Sequence, residues 1–229
     1  MSRGTRWVAV GGGLSFVMQG AELLARGEAG DAQIVRVGDG VPAALPAPVL
    51  PDGGRALPGF TQASPADVIS GWVRIWIAGF LAERPNWDGV ICALHGDVTH
   101  WVHISADEAV SSQSFVTLRL IAALSGAERA DMEALSDSLS RPERLAAHLR
   151  VAEVTGQPEA ITGHLIGAEL AAARAYWLGQ QVVVIGEGAL GGTYTNALAA
   201  QGCPVSCQTV NDVLPAGLKA LGQALGLAD

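Results

Sequence analysis

The chain has 229 residues, 49% of them hydrophobic, enough for one large domain or two small ones with real cores. Its net charge of −8 and isoelectric point near 5.0 supply no basic face for nucleic acid and no basic patch for an anionic membrane. Three cysteines, Cys92, Cys203 and Cys207, are too few and odd in number for a secreted disulfide framework. Cys203 and Cys207 make only half of a structural metal site and read as small buried strand residues. The first residues lack the basic start, apolar core and cleavage site of a signal peptide. The most apolar helical stretch, WVRIWIAGFLA (72–82), carries Arg74 and is too short to span a bilayer, so a cytoplasmic protein is expected.

RWVAV (6–10) reads as a strand, broken by Gly11-Gly12-Gly13, with LSFVMQ (14–19) as its return strand. AELLARGEA (21–29) extends this meander, and QIVRV (33–37) is a further strand. Residues 38–66, rich in Pro and Gly, read as an ordered loop or a linker. Ser64-Pro65 predicts the start of a helix over 64–84, with apolar residues at helical spacing. GVICAL (89–94) and THWVHIS (99–105) form a hairpin around the turn HGDV. Helices are expected over 114–126, 130–140 and most of 142–178, with Gly179 closing the last. A strand at 181–185, a helix at 192–201, a strand at 204–210 and a helix at 212–226 finish the chain. The two hairpin starts, 7–19 and 89–105, suggest two related halves.

VVVIGEGALGGTYTNALAAQG (182–202) places Gly186, Gly188 and Gly191 as G-x-G-x-x-G between a strand and a helix. A dinucleotide fold needs several further strands behind such a loop, and only one strand and a final helix follow here. Two readings stay open beside it: a strand-to-helix turn in which glycine permits close packing, and a nucleotide loop of the actin–hexokinase ATPase superfamily.

HLIGAEL (164–170), the glycine stretch (182–202) and DVLPAGLKALGQALG (212–226) together resemble the 2-dehydro-3-deoxygalactonokinase family, sugar-acid kinases of that superfamily. LHGDVTHWVHIS (94–105) is similar to the family's second phosphate hairpin and RWVAVGGGLSF (6–16) to its first. LPGF (57–60) and DVISGWVRIWIAGF (67–80) are similar to a further family segment. The resemblance is strong after about residue 160 and weak before it, and the chain reads as shorter than a usual member around 20–55. It implies an α/β fold of two actin-like (ribonuclease H-like) halves, 1–105 and 106–229, each a mixed sheet flanked by helices, with a cleft between. The boundary is soft, because the final helix of this superfamily often returns to the first half. It also implies ATP and Mg2+, a 2-keto-3-deoxy sugar acid as substrate, and the possibility of an oligomer.

The departures fall on polar sites. Gly11 stands where the family has the magnesium-serving Asp, Leu14 and Ser15 stand at its paired Thr positions, and Val17 is near its Arg. Ser70-Gly71-Trp72-Val73 replaces Arg-Gly-Glu-Glu; Gly96 is kept, but Asp97, Val98 and His100 replace Thr, His and Lys. SSQSFVTL (111–118) replaces another family motif. The remaining candidates are Asp97 as metal ligand or base, Thr99 and Gly96 as phosphate contacts, and Gly11, Gly12 and Gly13 as backbone donors to an anion. Gly186, Gly188 and Leu190 are the candidates for nucleotide. Asp97 also reads as an ordinary turn residue. His100 and His103 fall on opposite strand faces, His95 and His100 could meet across the turn, and no metal site is assigned. Trp72 and Trp76, one helical turn apart, read as core or subunit interface. Two functions are expected: an ATP-dependent sugar-acid kinase with its catalytic motifs largely lost, or a non-catalytic member that binds a metabolite or a protein.

Overall fold

The computed structural model describes residues 5–27 and 30–228; Glu28 and Ala29, at the end of the expected meander, lie outside them. In chain order the elements begin with β1 (Arg6–Gly11), β2 (Leu14–Gln19), β3 (Glu22–Arg26), β4 (Gln33–Val37), β5 (Ala43–Ala44), β6 (Ala47–Pro48) and β7 (Ala56–Leu57). There follow β8 (Phe60–Ala63), β9 (Ala66–Ile69), α1 (Gly71–Ala82), β10 (Gly89–His95), β11 (Val98–Ser105) and β12 (Glu108–Phe115). The helical stretch holds α2 (Thr117–Ala123), α3 (Met132–Ser140), a 3-10 turn (Pro142–Arg144), α4 (Leu145–Val154), α5 (Pro158–Ala172) and α6 (Arg174–Trp177). The chain ends with β13 (Val182–Ile185), α7 (Gly188–Ala200), β14 (Val205–Gln208) and α8 (Val210–Ala224). It divides into two compact α/β units. Unit 1 takes the chain up to Asp88, then Ile104–Ser112, and everything from Val210 onward; unit 2 takes Gly89–His103 and Gln113–Thr209. This division differs from a single cut between 105 and 106: the second hairpin as far as His103 sits in unit 2, and the last helix returns to unit 1.

In unit 1 the sheet order is β3-β2-β1-β4-β7, with β1 antiparallel to β2 and parallel to β4. Gly12 and Gly13 form the two-residue turn between the paired Gly11 and Leu14, both with positive φ (54° and 78°). That conformation matches the twist of the flanking strands and is open to glycine at little cost. The stretch 38–66 is an ordered series of short strands, not a bare loop. It has little core of its own, and Arg74 on α1 holds it. The guanidinium donates from Nε to Val49 O (2.9 Å), from Nη1 to Pro58 O (2.7 Å) and from Nη2 to Pro48 O (3.1 Å).

The expected helix 64–84 begins later than its sequence signal. Ser64-Pro65 is the turn between β8 and β9, and the helix starts at Gly71 with Ser70 as its cap, Oγ accepting from Trp72 N (3.2 Å). Ser-Pro serves a hairpin turn as well as a helix start, and pairing of Phe60 with Ile69 decides for the hairpin. Trp72 and Trp76 are buried, as the core reading expects. α1 lies close against α8: a Cβ on Gly79 would fall 1.9 Å from Val213 O, and one on Gly217 2.0 Å from Ile75 O.

Unit 2 is built on β14-β13-β10-β11-β12, and the start of β12, in unit 1, pairs with β6. β12 corrects the expectation of a helix from 114. Glu108–Phe115 extends the meander, and α2 is left with seven residues. EAVSSQSF has little intrinsic strand character, so pairing with neighbours carries it. α3 and α5 pack as α1 and α8 do: Cβ atoms on Gly163 and Gly167 would lie 2.3 Å from Asp131 O and 2.1 Å from Leu135 O. Ile166, Leu170, Val184, Tyr194 and Leu198, all fully buried, lie in this unit's core.

Candidate functional site

β10, β13 and β14 run parallel, with Ala93 opposite Ile185 and Ile185 opposite Gln208. Their carboxyl ends therefore meet at one edge of unit 2. On the other side of β10 the chain doubles back into β11, so the direction of connection reverses here. Such a switch point, outside the carboxyl ends of parallel strands, is where open α/β sheets bind ligands.

Two backbone turns occupy that edge. From β10 comes Gly96-Asp97, with Gly96 at φ 61°. From β13 comes Gly186-Glu187-Gly188, in which Gly186 N donates to Gln208 O (3.1 Å) and Gly188 has φ 66°. A Cβ on Gly186 would sit 3.1 Å from the Leu94 side chain, so glycine lets the two turns approach. Gly188 is already the first residue of α7, four residues before the expected helix start. Leu190 is half-buried, packed on the unit 2 core. The Glu187 side chain does not cap α7, leaving the first-turn N–H groups directed at this edge.

Asp97 is exposed and paired with Arg119 on α2, whose backbone N also donates to Asp97 O (3.0 Å). The Arg119 hydrogen bond holds the Asp97 carboxyl below its ordinary value, which makes it a weak base. Burial pushes His95 down, with Asp97 partly opposing; its ring lies 6.3 Å from that of His100. His100 is buried, with Nδ1 2.6 Å from Ser114 Oγ. Among the described residues no group of three or more His, Cys, Asp or Glu is placed to hold a metal ion.

Thr99 is the sharpest correction. It is fully buried and its hydroxyl donates to Glu169 Oε2 (2.8 Å), so it belongs to the core and not to a phosphate contact. Gly11, Gly12 and Gly13 lie in unit 1. There Gly11 O accepts from Trp72 Nε1 (3.0 Å), and a Cβ on Gly11 would fall 1.9 Å from Val37 O.

Sequence reasoning passed over Glu169 itself. On α5 it is buried and accepts from Thr99 and Tyr194 at Oε2 and from Trp101 Nε1 at Oε1, each at 2.8 Å, with Thr117 a fourth donor. Burial pushes its carboxyl up, and the four hydrogen bonds oppose that. The available signal was a lone Glu in the apolar run GHLIGAELAA, a residue type that is rarely buried without partners.

Residues 126–221 match the 2-keto-3-deoxy-galactonokinase family. The match covers α3 to α7, β13, β14 and most of α8, including two of the three stretches that carried the resemblance in full. No curated protein matches the chain in sequence. A crystal structure from Sinorhizobium meliloti, of a protein provisionally designated a 2-dehydro-3-deoxygalactonokinase, superposes with a TM-score of 0.78 at 20% identity. The superposition covers 96% of this chain and 98% of that one, which places both in the same fold. The expected shortening around 20–55 is not seen against that structure.

Proposed function

We propose that this is a sugar-kinase-like protein that meets nucleotide at the carboxyl edge of β10 and β13, and whose transfer of phosphate from ATP to a 2-keto-3-deoxy sugar acid is slight or lost. The family match and the two glycine turns at a switch point support the first part. Gly11 carries the second: the carbonyl of Val37 fills the direction a side chain would take, so the magnesium-serving carboxylate of the family has no room there. Phosphoryl transfer relies on positioning and charge neutralisation, and Mg2+ supplies much of the latter when bound. The residues present do not fit a protein-held Mg2+: among the described residues no group of three or more His, Cys, Asp or Glu is placed to hold a metal ion, and Asp97 is paired with Arg119. The same losses favour, as a second reading, a non-catalytic member that binds a metabolite or a protein.

A coupled ADP-release assay with 2-dehydro-3-deoxygalactonate, run on the protein and on Asp97→Ala, tests the reading. No turnover is expected from either. Robust turnover abolished by the substitution would overturn it and make Asp97 the catalytic centre. Calorimetry with MgATP is expected to give an affinity weaker than micromolar.

A further inference from the structure

Three pieces of the unit 2 edge converge on one buried side chain. Thr99 and Trp101 stand on β11, two and four residues beyond the Gly96-Asp97 turn. Thr117 opens α2, which carries the Arg119 that grips Asp97. Tyr194 stands on α7, within two turns of Gly188. All four donate to the carboxylate of Glu169, from three different elements. No other acidic side chain among the described residues is buried. A purely structural core position would be filled more cheaply by an apolar residue.

We propose that Glu169 is the positioning residue of this edge: through Thr99, Trp101, Thr117 and Tyr194 it fixes the hairpin turn and the glycine turn in one mutual arrangement. Two fully buried hydroxyls share Oε2, so displacing α7 disturbs the acceptor that also holds β11, and the turns move together. This rests on the nucleotide reading only for what the edge binds; the coupling is a property of the free protein.

Amide hydrogen exchange tests it on the unliganded full chain, because each turn has a hydrogen-bonded reporter. Arg119 N–H, bonded to Asp97 O, reports the hairpin turn, and Gly186 N–H, bonded to Gln208 O, reports the glycine turn. Leu135 N–H, bonded to Asp131 O on α3, is the control. Tyr194→Phe, which removes one hydroxyl carried by α7, is expected to speed exchange about tenfold at Arg119 as well as Gly186, with Leu135 unchanged. Thr99→Val is expected to do the same from the hairpin side, and the double substitution to be less than additive. Glu169→Gln, which keeps one carbonyl oxygen, should loosen both turns less than Glu169→Ala. If the Glu169 variants do not fold, the Tyr194 and Thr99 variants, which leave three donors on the carboxylate, decide the matter. Effects confined to the substituted side overturn the coupling. Uniform acceleration that includes Leu135 overturns it too, since that is general loss of stability. Absence of MgATP binding to the parent protein would remove the nucleotide reading and leave the exchange result intact.

Discussion

Arg74 carries a charge into unit 1 with backbone carbonyls as its hydrogen-bond partners and the Phe60 ring 4.2 Å from its guanidinium carbon. Burial lowers its pKa to about 10, still far above neutral, so it remains charged. Replacing it with Met would strand three acceptors and release the 38–66 segment. Arg74→Met is expected to cost about 3 kcal/mol in a urea titration, and Arg74→Lys, which lacks the planar fork, should recover only part of that. Asp97 is the contrasting case. Its pair with Arg119 is open to water, and such pairs are strongly screened. Asp97→Asn should leave the melting temperature within the scatter of the measurement, and a large loss would show that the turn depends on the charge. Arg74 was visible in the sequence only as an obstacle to membrane insertion. Its three acceptors come from segments 16 to 26 residues away, which no local pattern exposes.

Both units use the same device for joining helices. α1 meets α8 through Gly79 and Gly217, and α3 meets α5 through Gly163 and Gly167, each with a backbone carbonyl where a Cβ would go. Gly167→Ala forces the α3 backbone to move and is expected to cost about 3 kcal/mol. Gly192→Ala meets nothing within 4 Å on α7 and should stabilise by up to about 1 kcal/mol, through helix propensity alone. Chemical denaturation of the pair separates packing from propensity, and equal effects would refute the close-approach account. Periodicity found most strands and helices, because an element's burial is written into its own residues. It missed β5 to β9 and β12 and misplaced the start of α1, where polar or ambiguous residues take their state from a partner strand.

In unit 2, pH acts on a close, mutually tilted imidazole pair. His148 and His164 lie 4.5 Å apart, Ser138 Oγ stands 3.2 Å from one Nδ1 and 2.9 Å from the other, and Asp137 lies 3.4 Å from His148 Nε2. Burial, then repulsion from His148, pushes His164 below its ordinary value of 6.5, while the Ala134 backbone, Asp137 and Asp131 oppose. A lowered histidine contributes stability above its unfolded pKa and loses it as pH falls toward the folded one. The melting temperature should therefore drop on acidification below about pH 6.5, and less so in His164→Asn. A pH slope unchanged by that substitution would remove His164 from the account. His95, also pushed down by burial, adds to the same trend.

The α/β class, the strand leading into the glycine turn, the second hairpin and the family resemblance after residue 160 were all legible in the chain, since each rests on contiguous residues whose spacing states their structure. The roles of Thr99 and Glu169 were not. They are 70 positions apart, and a hydroxyl reads alike whether it faces a phosphate or a buried carboxylate. Gly11 likewise reads as a turn residue until Val37 is brought against it. Which polar groups face solvent and which are consumed inside is set by long-range packing, because the acceptor that claims a donor is chosen in space and not along the chain.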